Sequence, residues 1–134
     1  DALMPRLRGM FAFAFWEAPL GRLTLVRDRL GVKPLTYHLT PRGIAFASTV
    51  SALHAAGFGG DLQPHAVLEY LEFGFAVEPH AIYEGITKLP PATILEWRNG
   101  AITQRSYWHL PEPQGPSARS FADIADEAES LIIE

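Results

Sequence analysis

GMFAFAFWEAPLGRLTLVRDRLGVKPL, from Gly9 to Leu35, is the stretch that decides the fold. Its first part alternates: Phe11, Phe13 and Phe15 fall on one side, Met10, Ala12 and Ala14 on the other. A period of two belongs to a strand, because successive side chains leave a pleated backbone on opposite faces. Apolar residues on both sides predict a strand over residues 9–16 that is covered on both faces, with the small alanines letting a second layer come close. Glu17-Ala18-Pro19-Leu20-Gly21 interrupts the pattern and residues 22–27 resume it, which predicts a hairpin. Next comes a charged loop, Arg27-Asp28-Arg29-Leu30-Gly31-Val32-Lys33-Pro34, in which Gly31 permits a sharp turn and Pro34 forces an extended exit. The residues alone leave two readings of it open. One is an Arg–Asp brace that holds the loop; the other is a docking or binding loop presenting Arg27, Asp28, Gly31, Lys33 and Pro34.

Beyond the loop, residues 35–39 and 43–48 form a second hairpin, since Thr40-Pro41-Arg42-Gly43 suits a type I turn. A short Ala-rich helix over residues 49–56 stops at Gly57. Gln63-Pro64 opens another helix, with Pro in the first turn where its missing N–H costs nothing, and Gly74 ends it. After an irregular stretch, residues 93–97 and 101–107 flank Asn99-Gly100, the dipeptide of a type I′ hairpin turn. Residues 111–119, with Pro111, Pro113 and Pro116, make an extended linker. Residues 120–134 then put Phe121, Ile124, Ala125, Ala128, Leu131 and Ile132 on one helical face, behind a capping box of Ser120 and Asp123. This one-sided helix needs a partner surface.

The 134 residues are 48% apolar and 19% charged, enough apolar material for a packed core. A net charge of −4, with 11 scattered Lys and Arg, argues against nucleic acid as a partner. The longest apolar run, residues 10–16, falls far short of the roughly 20 residues that cross a bilayer, so no membrane is expected. Cysteine is absent, which removes disulfides, thiolate metal sites and a thiol nucleophile from these residues and fits a cytoplasmic setting. The five histidines show no metal-ligand spacing and read as solvent-facing or cap residues, so no metal is expected. Glu69 and Glu72 read as a solvated helix face, and Glu78, Glu84 and Glu96 have no visible partner. No catalytic residue emerges.

In order along the chain stand Arg8-Gly9-Met10-Phe11-Ala12-Phe13-Ala14, Gly21-Arg22-Leu23, the Arg27–Leu35 segment, Phe46-Ala47-Ser48, Tyr70-Leu71 with Phe73-Gly74, Ile82-Tyr83-Glu84-Gly85-Ile86 with Lys88-Leu89-Pro90-Pro91, and Tyr107-Trp108. Each segment alone is unspecific. The ordered set, over about residues 3–110, resembles the glutaminase domain of glutamine-hydrolysing asparagine synthetases. Thr49 departs from a usual glutamate, Ala92 from a usual glycine, and Ser106 from a common arginine.

The resemblance implies an α+β fold, the distal half of an αββα four-layer N-terminal-nucleophile sandwich with antiparallel sheets. It divides the chain into the later part of a glutamine amidotransferase domain (1–110), a Pro-rich linker (111–119) and the first helix of an α/β ATP-dependent synthetase domain (120–134). In such enzymes an N-terminal cysteine attacks the glutamine carboxamide, a reaction suited to an intrinsically nucleophilic thiolate beside its own α-amine. The released ammonia travels through a tunnel to an aspartate activated by ATP, giving asparagine, AMP and pyrophosphate. The implied partners are glutamine, aspartate and ATP, with Mg²⁺, together with the missing portions of the same chain and a homodimer of the parent. By the same resemblance Met10 matches a tunnel-lining methionine, a thioether that excludes water without protonating ammonia; otherwise it is simply core. The nucleophile, the glutamine-holding segments and the pyrophosphate loop lie outside these residues, so the fragment is expected to be inactive and to hold no cofactor itself. A related amidotransferase with another acceptor, β-lactam synthetase-like or modifying natural products or polysaccharides, fits the same residues. So does a complete, non-catalytic β-rich interaction domain, whose last helix would pack on the same domain.

Overall fold

The computed structural model of the chain describes residues 3–112, 115 and 119–133. Seven strands form two antiparallel sheets. Strands β1 (Ala12–Glu17), β2 (Arg22–Arg27), β6 (Thr93–Arg98) and β7 (Ala101–Ser106) lie in the order β1-β2-β6-β7. Strands β3 (Thr36–Thr40), β4 (Gly43–Ala47) and β5 (Ile86–Lys88) form the second sheet, in the order β4-β3-β5. The helices are α1 (Val50–Ala55), α2 (Pro64–Phe73) and α3 (Phe121–Ile133).

Local chemistry sets most of these boundaries. A 3₁₀ turn at Ala18–Leu20 joins β1 to β2, and Gly21 closes it at φ +57°. The β3–β4 loop is Pro41-Arg42, neither residue with positive φ, whereas Asn99 and Gly100 take φ +51° and +83° as a type I′ turn requires. Thr49 caps α1 by accepting from the Ala52 N–H. The same helix ends in a Schellman motif, Phe58 N–H bonding to Leu53 O and Gly57 N–H to His54 O. Ser120 and Asp123 exchange side-chain-to-backbone bonds at the start of α3, so the capping box forms with Asp in the acidic position. β5 has no counterpart among the sequence expectations. Three residues are too few to show a period, and pairing with β3 is what makes them a strand.

The two sheets pack face to face. Leu23, Leu25 and Leu95 of the four-stranded sheet meet Tyr37 and the flanking Leu35 and Leu89, with Ala12, Ile44, Trp97 and Ile102 around them. Full burial of side chains such as Leu25 and Leu95 stabilises by about 1.5–3 kcal/mol each. Gln104 Nε2 donates to Tyr37 Oη at 2.7 Å across this layer. On the outer side of the three-stranded sheet, Leu53 of α1 packs with Ala81 and Ile86.

The outer face of the four-stranded sheet is different. Its rows run Phe13–Val26–Ile94–Arg105 and Phe15–Thr24–Glu96–Thr103. Met4, Leu7, Phe11 and Tyr107 pack on its lower part, while Phe15 stays 58% exposed and lines an open cavity of about 360 Å³. The expectation of a first strand covered on both faces therefore fails in part: β1 is an edge strand, the short 3₁₀ helix Met4–Arg6 sets Met4 against its Phe13 end, and among the described residues no α-helix lies over Phe15. The alanine side does admit a second layer, as Ala12 joins the inter-sheet core. None of the described residues of α3 is buried, so it does not pack as an interaction domain's last helix would. Much of the linker expected over 111–119, together with residues 1, 2 and 134, lies outside the described residues.

Candidate functional site

Sequence reasoning singled out the loop after β2, and the structure gives it a dense polar interior. Asp28 is 1% exposed. Its carboxylate accepts four backbone N–H bonds: from Leu30 and Val32 on Oδ1, at 3.2 and 2.9 Å, and from Lys33 and Phe11 on Oδ2, at 2.9 and 3.3 Å. Burial opposes the charge, but these donors outweigh it and hold the Asp28 pKa below the usual carboxylate value. The backbone of Asp28 is paired as well. Its N–H donates to Phe11 O at 2.9 Å, and its carbonyl accepts from Gly31 and Ala92 at 3.1 and 2.8 Å.

Arg27 performs the complementary task for carbonyls. Its Nε donates to Lys33 O at 2.9 Å, one terminal nitrogen to Gly31 O at 2.6 Å, and the other to Leu89 O at 2.6 Å and Glu78 Oε1 at 2.8 Å. The planar fork of a guanidinium suits such divergent acceptors, which a lysine ammonium does not match. The brace is therefore real but is not an Arg–Asp pair: Arg27 gathers carbonyls and a glutamate, and Asp28 gathers N–H groups. Gly31 lies under the guanidinium at φ +66°, where a Cβ would stand 2.8 Å from Pro91 Cγ and 3.0 Å from Arg27 Cζ. Only glycine fits that turn.

Three partners of the loop were invisible from sequence. Glu78, expected to be unpaired, forms an ion pair with Arg27 from 51 residues away. Tyr107 donates its hydroxyl to Arg27 O at 2.9 Å; burial raises its pKa, so the donor stays protonated. Ala92 takes φ +52°, a left-handed conformation that accounts for the resemblance leading one to expect glycine there. Its N–H reaches Asp28 O from that conformation. A local reading had no access to any of these contacts, apart from the glycine expectation itself.

Met10 stands beside this brace and is 61% exposed, so it is not core. It lines two neighbouring clefts. One, of about 370 Å³, is formed with Phe11, Ala12, Lys33, Pro34 and Ser48; the other, of about 420 Å³, is bounded chiefly by Leu30, Val32, Trp108 and Leu110. Arg29 lies 5.9 Å from the Trp108 ring centroid, within cation–π reach. The structure thus brings Met10, Asp28, Lys33 and Pro34 to one end of the sheet, with Arg27 and Gly31 inside the brace. The polar atoms of Asp28 and most of those of Arg27 hold backbone; the side chains of Lys33 and Ser48 border the first cleft, and the second is largely apolar. Such a surface can seat or conduct a small neutral molecule but offers no nucleophile or acid–base pair. Among the described residues, no group of three His, Asp or Glu side chains is placed to hold a metal ion, and no helix is long and apolar enough to cross a membrane.

A family model for the glutamine amidotransferase domain matches residues 1–108, four-fifths of the chain. The chain belongs to the glutamine amidotransferase domain family. This amidotransferase domain is 33% identical over 130 residues to glutamine-hydrolysing asparagine synthetase 1 of Bacillus subtilis (strain 168), covering 96% of the chain and 19% of that protein. It is 30% identical over 109 residues to putative glutamine-hydrolysing asparagine synthetase 2 of Methanocaldococcus jannaschii, covering 78% of the chain and 21% of that protein. It is also 28% identical over 137 residues to amidase chyE of Penicillium rubens, covering 99% of the chain and 20% of that protein. The amidotransferase domain thus spans about a fifth of the length of these curated relatives.

Proposed function

We propose that the chain is part of the glutaminase domain of a glutamine-dependent asparagine synthetase. Its parent would hydrolyse glutamine, channel the ammonia and amidate an aspartate activated by ATP. The family match over residues 1–108 carries this reading, and the asparagine synthetase relatives support the acceptor. The two face-to-face antiparallel sheets, with a helix outside one of them, suit two or three layers of the four-layer sandwich. A fourth, helical layer would lie over Phe13 and Phe15. Met10, which lines two neighbouring clefts, is the tunnel candidate, and the 27–35 loop stands beside it as a domain-facing scaffold. The chain by itself would release no ammonia, because its 134 residues contain no cysteine. ATP and Mg²⁺ would belong to the synthetase portion, together with aspartate.

The test is to express the complete reading frame that encodes the chain and supply glutamine, aspartate, ATP and Mg²⁺. Asparagine formed with AMP and pyrophosphate is the expected result. Failure to consume aspartate while another acceptor is amidated would overturn the acceptor assignment. That outcome is the second reading, and the 28% identity to an amidase over 99% of the chain favours it specifically. For the 134-residue chain alone, measurable ammonia release from glutamine would overturn the inactivity.

A further inference from the structure

Residues 74–80, the turn between α2 and the approach to β5, are held by backbone bonds, among them His80 N–H to Val77 O at 2.8 Å and a bridge from His80 to Thr87, and by charged side chains. Glu69 of α2 reaches across with both oxygens. Its Oε2 accepts the Val77 N–H at 2.9 Å, and its Oε1 meets His80 Nδ1 at 2.9 Å. His65, one turn earlier on α2, places its ring edge-on against His80 with centroids 4.7 Å apart. From the other side, Lys88 of β5 donates its Nζ to Ala76 O at 2.5 Å and its N–H to Pro79 O at 2.9 Å. The turn delivers Glu78 to Arg27, and both line a cleft of about 290 Å³ with Ser48, Thr49 and Lys88. Apolar burial is confined to small side chains: Ala66 of α2 and Ala76 of the turn are buried, and Phe75 and Val77 are exposed.

We propose that Glu69 and His80 form a pH-responsive latch on this turn, tightened when His80 carries a proton and loosened when it does not. A carboxylate–imidazolium contact is charge-assisted and roughly twice as strong as its neutral counterpart. Glu69 and His65 of α2 touch the His80 ring; of the other charged groups nearby, Lys88 of β5 is bonded to Ala76 O and Glu78, two residues earlier, to Arg27. Among the described residues, Glu69 is the carboxylate bonded to the His80 ring. Burial works against ionisation of Glu69, but the bonds from His80 and Val77 and the nearby imidazoles outweigh it and lower its pKa. The acceptor therefore stays charged throughout the range in which imidazoles titrate. This inference concerns residues 65–80 and does not depend on the proposed parent activity.

Amide hydrogen exchange on the 134-residue chain tests it, comparing protection at about pH 5 and pH 8, the span in which imidazoles change charge. The Val77 N–H reports the latch. The Leu89 N–H, bonded to Leu35 O, reports the core. After correction for intrinsic rates, Val77 protection is expected to fall about five-fold from pH 5 to pH 8 relative to Leu89. His80→Gln should abolish that dependence, His65→Gln should keep it, and Glu69→Gln should lower Val77 protection at both pH values. Equal Val77 protection at both pH values in the unaltered chain would overturn the latch. So would an undiminished dependence in His80→Gln, or its loss in His65→Gln alone.

Discussion

The 27–35 loop and the first strand invert what composition suggests about each. The loop carries four charged residues in nine, Arg27, Asp28, Arg29 and Lys33, yet Arg27 and Asp28 are among the buried side chains of the molecule. The strand is almost wholly aromatic and aliphatic, yet Phe15 and Trp16 are more than half exposed. The difference lies in partners. Charge can be buried where carbonyls and N–H groups converge on it, since the cost of desolvation is then offset bond by bond. An apolar strand at a sheet edge gains burial only from whatever lies over it. Stability here should be concentrated in a polar loop and sparse along an apolar strand.

The strongest way to break this contrast is Asp28→Ala, which strands four N–H donors. A loss of about 3–5 kcal/mol is expected in chemical unfolding of the 134-residue chain, and a loss under about 1 kcal/mol would show that the loop is peripheral. Gly31→Ala should cost about 2–3 kcal/mol, since it combines a positive φ with a contact at 2.8 Å. An unchanged unfolding midpoint would mean that Pro91 and Arg27 simply move aside.

Titration with acid sharpens the same point. The folded pKa of Asp28 is depressed, so the stability it contributes is complete above the unfolded value of about 3.9 and is lost as pH falls through the lower folded value. Unfolding free energies measured downward from pH 5 should show this decline, and Asp28→Asn should flatten it. On the strand, Phe15→Thr should change stability by less than about 0.5 kcal/mol while raising solubility, because most of the ring already meets water. A loss above about 2 kcal/mol would reveal cover over β1. Smallest of all is Ala92→Gly. Relief of a left-handed backbone and loss of a buried methyl nearly cancel, for a net change within about 0.5 kcal/mol by the same measurement.

How much was legible in the sequence follows the range of the forces involved. Features set by neighbouring residues were: the Asn99-Gly100 turn, the Pro64 start and Gly74 stop of α2, the Ser120–Asp123 cap and the alternation of β1. The family likeness, carried by ordered words spread over the chain, was legible too. Features set by distant residues were not. β5 exists because β3 accepts it, Glu78 matters because Arg27 is there, and Glu69 is no solvated helix residue because His80 and Val77 come to it. The exposure of Met10 and Phe15 depends on where layers fall, which no period of two encodes. For the candidate site, the sequence showed which residue types the loop carries. Their division of labour, N–H groups to Asp28 and carbonyls to Arg27, required the coordinates.

The hydroxyl of Tyr107, bonded to the carbonyl of Arg27, closes a loop of 80 residues in sequence. Leu89 adds a closure of 62 and Glu78 one of 51. Contacts of that span form late, because the entropy of closing the chain is spent before any of them contributes. On a ribosome, the hairpin of β1 and β2 can pair as soon as it emerges, while the loop directly after it waits for strands made much later. A densely bonded part of the finished domain is thus among the last to be fastened, and until then its charged residues keep the nascent chain in contact with water.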